Sequence, residues 1–191
     1  KDGTTAKGEY KKAETNGDLW ILQGAVQGKI KASDYSYARL TDKPAEIAAA
    51  EKMLSSKKYQ EASAEFRKLY DLYKFVGYDV LCIYGEAAAL NEQGKKQEAI
   101  DRLKALDKYE LLDQDKDAEF YDAKKLLANL YIGTDKFDDA INILLELGKS
   151  NDDDIAAFGF NSRGEILLKQ NKKKDAVLMF MRTALLFSQE N

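Results

Sequence analysis

The 191-residue chain contains no histidine, one cysteine and one proline. Without His it lacks the commonest general base, the commonest zinc ligand and every imidazole-based catalytic triad. A lone Cys82 can form neither an internal disulfide nor a cysteine-based metal site. No apolar run approaches the roughly 20 residues that span a bilayer, so membrane insertion is not expected. Nor is charge of either sign in surplus. Lys plus Arg is 30 and Asp plus Glu 33, a net charge of −3. So balanced a surface is a poor general binder of nucleic acid, which needs a cationic face. Gly-rich phosphate loops, a serine nucleophile elbow and a paired-histidine zinc motif are missing too. One cysteine suits a reducing cytosol or a cell envelope alike. The chain begins at Lys1 rather than Met, which reads as a processed or trimmed chain and leans towards a bacterial cell envelope or a secreted setting.

What is present changes character near residue 42. Residues 1–41 are dense in glycine (Gly3, Gly8, Gly17, Gly24, Gly28) and alternate β-formers with polar residues. Asp2-Gly3 and Asn16-Gly17 are tight-turn signals. Candidate strands run over 8–13, 19–22, 25–31 and 35–40. This strand–turn–strand order resembles a small SH3-like or Sm-like β unit. Forty residues make a marginal sheet alone, so it is expected to pack on the first helix or to continue upstream.

Residues 42–191 are rich in Ala, Leu, Lys and Glu at helical spacing, and the single proline, Pro44, favours long uninterrupted helices. A repeat runs through them. Ala62, Ala99, Ala140 and Ala176 lie 37, 41 and 36 residues apart. Twelve residues before each sits a small residue (Ala50, Ala87, Ala128, Gly164) and nine before a large apolar one (Met53, Leu90, Tyr131, Leu167). Four after comes Phe66, Leu103, Leu144 or Phe180. Polar turns at 55–58, 92–95, 133–136 and 169–172 divide each repeat into two helices. Small residues let paired backbones approach, and large ones fill the groove beside them. Gly94 and Asn171, five before their Ala, suit the left-handed residue that ends a helix. Burial of all four alanines between paired helices is expected.

The pattern resembles the tetratricopeptide repeat family. Tyr59-Gln-Glu-Ala62 with Phe66, Phe137-Asp-Asp-Ala140 with Leu144, and Gly94 to Ile100 carry the likeness, from about Pro44 to the end. Lys96 and Lys173 stand where the family has an aromatic, and no proline ends a repeat. The resemblance implies a mainly α fold, an α-solenoid of about four helix-turn-helix repeats behind a short β element. It also implies a non-enzymatic protein–protein interaction module or assembly scaffold with no cofactor or metal. Members often bind an extended peptide in the concave groove lined by the first helix of each repeat. By offset from the aligned Ala those positions are Ile47, Glu51, Tyr84, Ala88, Asn91, Lys125, Asn129, Phe158, Asn161 and Glu165. Tyr84, Asn91, Lys125, Asn129, Phe158 and Asn161 are the candidate groove residues. Lys125 and Asn129 occupy offsets at which some members grip a C-terminal carboxylate. Ile47 and Glu51, or Tyr84 and Ala88, replace that pair in earlier repeats, so a complete clamp is not expected.

Two other readings compete. Carboxylate catalysis would draw on Asp138-Asp139, on Asp152 to Asp154, or on Asp113, Asp115 and Asp117. The first two clusters fit helix starts, where negative charge complements the dipole. The third has calcium-loop spacing without that loop's central Gly and terminal Glu. Tyr70, Tyr73, Phe75, Tyr78 and Tyr84 are either packing between repeats or a contact surface. Self-association within a larger complex is the remaining alternative. The last helix is apolar all round from Ala176 to Met181 and again from Ala184 to Phe187, and the preceding helix covers one face only. At least two of Val177, Met181 and Leu185 are therefore expected to be exposed, on a surface for a second copy or another protein.

Overall fold

The computed structural model describes residues 6–108 and 118–187. Asp113, Asp115 and Asp117 lie outside the described residues. Two compact units divide the chain, Lys1–Glu98 and Ala99–Asn191.

In the first unit, β1 (Glu9–Ala13), β2 (Leu19–Gln23) and β3 (Val26–Ile30) form an antiparallel meander in that order. Asn16-Gly17 closes the first hairpin. The Gly17 N–H donates to the Glu14 carbonyl at 3.0 Å, and Gly17 takes φ +89°, a turn followed by a left-handed glycine. Lys29 ties the sheet together. Its ammonium lies 2.8 Å from both Glu14 and Asp18, while the Trp20 indole donates to Glu14 at 2.7 Å. That ammonium and the Ala32 N–H hold the Asp18 carboxyl down to about 2.

Residues 35–40, an expected fourth strand, are not a strand. A 3-10 turn at Ala32–Asp34 turns the chain away from the sheet. The Tyr35 hydroxyl then donates to the Gly17 carbonyl, and the Leu40 N–H to the Val76 carbonyl. The sheet also packs on the second helix rather than the first. The Tyr10 ring lies 5.9 Å from that of Tyr73, and the Tyr10 hydroxyl donates to the Leu72 carbonyl.

Among the described residues eight α-helices follow, two to a repeat: α1 (Ala45–Ser55), α2 (Tyr59–Tyr73), α3 (Asp79–Glu92), α4 (Lys96–Leu103), α5 (Ala118–Ile132), α6 (Phe137–Leu147), α7 (Asp153–Lys169) and α8 (Lys173–Leu186). The fold is mainly helical with a short N-terminal sheet. Ala62, Ala99, Ala140 and Ala176 are all fully buried. In the first unit α1 packs on α2, α2 on α3, and α1 also touches α3. The second unit repeats the scheme, with α5 on α6, α6 on α7, α7 on α8, and α5 touching α7. Its nearest-neighbour stacking is that of a helical repeat array.

The turns inside the repeats share one backbone solution. Lys57, Gly94, Asp135 and Asn171 all have φ between 58 and 77°. Each stands five residues before its aligned alanine. Non-glycine residues pay roughly 1–2 kcal/mol for this conformation. Lys57→Gly should therefore raise stability by about 0.5–1 kcal/mol after the added unfolded-chain entropy. Gly94 has open space where a Cβ would go, so Gly94→Ala should cost about 1 kcal/mol through backbone strain alone. Urea titrations of the two variants should shift in opposite directions.

Candidate protein-binding site

Helical spacing places two stripes side by side in the second unit. On α5, residues three and four apart put Asp122, Lys125 and Asn129 on one face. On α7 the same rule aligns Asp154, Phe158, Asn161 and Glu165. These are the first helices of the third and fourth repeats, and they touch. Lys125 is half-buried and lies 3.7 Å from Asp122. Asn129, Asn161 and Glu165 are exposed, and Phe158 is half-buried.

A cleft of about 800 Å³ opens at the N-terminal ends of both stripes. Ala118, Tyr121, Asp122 and Lys125 of α5 form one wall. Glu146 and Leu147 of α6, residues 149–152 of the connecting loop, and Asp154 and Ile155 of α7 complete it. The loop is held by a helix cap. Asp152 accepts from the N–H groups of Asp154 and Ile155 at 3.0 and 3.1 Å, and its own N–H donates to the Ser150 hydroxyl. Asp152 thus satisfies two of the orphan donors of α7. Asp138 and Asp139 likewise sit in the first turn of α6. The cleft presents four carboxylates, Asp122, Glu146, Asp152 and Asp154, against the ammonium groups of Lys125 and Lys149. Its acidic surplus favours a cationic ligand.

Of the six candidate groove residues, Lys125 lines this cleft, and Asn129, Phe158 and Asn161 continue its two helical stripes. Tyr84 and Asn91 are half-buried on α3, in the other compact unit. Ile47 is fully buried in the first unit's core beside Ala50, Phe66 and Leu69. It is not a surface position, because the unit's apolar interior closes over that side of α1. Glu51, at the corresponding second offset, pairs with Lys43 at 2.7 Å. Tyr73 and Tyr78 meet edge to face at 6.4 Å, a packing contact of the kind expected beneath an inter-repeat turn. Tyr121, Glu146 and Lys149 were not marked by sequence spacing. The loop that brings α6 against α7 creates their neighbourhood.

Residues 90–160 match the tetratricopeptide repeat family model. Residues 90–160 are tetratricopeptide-repeat sequence. The matched stretch contains the whole of α4, α5 and α6 and the first part of α7, so it includes the cleft lining and the α5 stripe. Tetratricopeptide repeats are interaction modules that serve protein partners and are typically non-enzymatic. No curated protein matches the chain. Among the described residues no helix is long and apolar enough to cross a membrane. On α8, Val177, Met181 and Leu185 are all exposed, at 52, 52 and 75%.

Proposed function

We propose that the α5–α7 face of the tetratricopeptide repeats binds an extended, basic segment of a partner protein, and that the chain is a non-enzymatic adaptor. The acidic cleft carries this reading: four carboxylates and two ammonium groups line it, at the end of helical stripes that carry Asn129 on α5 and Phe158 on α7. The carboxylates supply attraction to Lys or Arg side chains. Asn129 offers both a donor and an acceptor to a peptide backbone. Phe158 adds an apolar contact along the same face.

Matched peptides of basic, neutral and acidic composition, titrated calorimetrically against the chain, test the reading. Binding should follow basic charge and weaken with salt. Glu146→Gln with Asp154→Asn should weaken the basic peptide at least tenfold and flatten the salt dependence. Asn129→Ala with Phe158→Ala should weaken it comparably without flattening that dependence. All four side chains lie at the surface or are half-buried, so circular dichroism should stay unchanged. Equal affinity for acidic and basic peptides, or full binding by both double variants, would remove the site from this face.

A further inference from the structure

Helix α8 turns one face inward and leaves the opposite face uncovered. Ala176 is fully buried, with Phe180 and Thr183 half-buried beside it. At 100° per residue the far side carries Lys174, Leu178, Met181 and Leu185. Their spacing of four, three and four is that of a coiled-coil seam. Leu178, Met181 and Leu185 are more than half exposed. Asp175 and Arg182 flank the seam on one side, Val177 and Ala184 on the other. A contiguous exposed apolar strip along one helix face is the kind of surface that docks a partner.

We infer that α8 pairs antiparallel with α8 of a second copy of this chain. Charge decides both the occupant and the direction. In the antiparallel register Leu178 packs on Met181 of the second copy, and Leu185 on the aliphatic stem of Lys174. The two-fold axis then sets Asp175 beside Arg182 of the second copy, twice. Val177 meets Ala184 on the other flank, so no charge faces an apolar group there. The lysines 172–174 of the two copies fall at opposite ends. A parallel pair would crowd those six ammonium groups together and set Arg182 against Val177, with no partner for Asp175. The inference is independent of the cleft on α5 and α7.

Sedimentation velocity on the 191-residue chain tests it. The chain should be a dimer at micromolar concentrations. Met181→Glu or Leu178→Gln should each produce a monomer with unchanged helicity, since both side chains are exposed. Asp175→Arg alone and Arg182→Asp alone should each weaken the dimer at least tenfold, because each sets like charges face to face twice. A mixture of those two single variants should form a heterodimer about as tight as the unaltered dimer. A monomer at hundreds of micromolar for the unaltered chain would overturn the inference and leave this face to a different protein. A dimer that survives Met181→Glu would place the interface elsewhere. A dimer lost with Met181→Glu but indifferent to both charge reversals, with no gain on mixing, would overturn the antiparallel register.

Discussion

Gly159→Ala should lower the stability of the Ala99–Asn191 unit by about 3 kcal/mol, the upper end of the range for inserting a methyl into a packed contact. Gly159 lies where α7 crosses the end of α6. A Cβ built there falls 2.7 Å from the Gly148 nitrogen, 2.8 Å from the Leu144 carbonyl oxygen and 3.0 Å from the Gly148 Cα. All three are backbone atoms, so no side-chain rotation relieves the overlap. The Gly148 N–H also donates to that same Leu144 carbonyl at 3.0 Å, closing the last turn of α6. The methyl would press on the hydrogen bond itself. Relief requires α7 to move off the end of α6. The sign of the effect is diagnostic. At an open helical site, Gly→Ala gains roughly 0.5–1 kcal/mol from backbone entropy. A variant as stable as the parent in urea, or more stable, would show that the two helices do not approach this closely.

The repeat was readable because its physical cause recurs. Every helical pair needs a small residue at the crossing and a large one beside it, so Ala62, Ala99, Ala140 and Ala176 stand out at spacings near 38 residues. The turns were half readable. Gly94 and Asn171 announce a left-handed residue by their chemistry, while Lys57 and Asp135 adopt it only because the register demands it. Residues 35–40 show the opposite failure. Their aromatics suit a strand, but pairing needs a neighbour, and the 3-10 turn at Ala32–Asp34 removes it. In the candidate site, Lys125 and Asn129 could be placed on one face from spacing alone. The acids that give the cleft its sign could not, since Glu146 and Asp154 come from two other helices. Their proximity depends on the Gly148–Gly159 approach and on the Asp152 cap. Helix α8 was legible as apolar on every side. Which stripe stays outside follows only once Ala176 is seen to face inward.

Gly85→Ala should cost about 2–3 kcal/mol, and Phe66→Leu should recover part of that loss. In the first unit the Phe66 ring of α2 stands end-on over Gly85 of α3. A Cβ at Gly85 would lie 2.5 Å from the ring's Cζ and 2.6 Å from each Cε. The ring is 1% exposed and enclosed by Ile47, Ala62, Leu69, Leu81 and Cys82, so it has no free volume into which to swing. Phe66→Leu alone removes the far end of the ring and leaves a cavity over Gly85, at a cost of about 1–2 kcal/mol. In the double variant the new methyl occupies part of that cavity. The two losses should therefore fail to add by at least about 1 kcal/mol, the range measured for residues in contact. Additive losses would mean that ring and glycine do not share this space. The second unit holds the comparison. Phe180 stands over Gly164, its Cε1 2.6 Å from where a Cβ would lie, but that ring is only half-buried. It can tilt outward, so Gly164→Ala should destabilise less than Gly85→Ala. The measured order of the two tests whether enclosure, rather than the distance of approach, sets the cost.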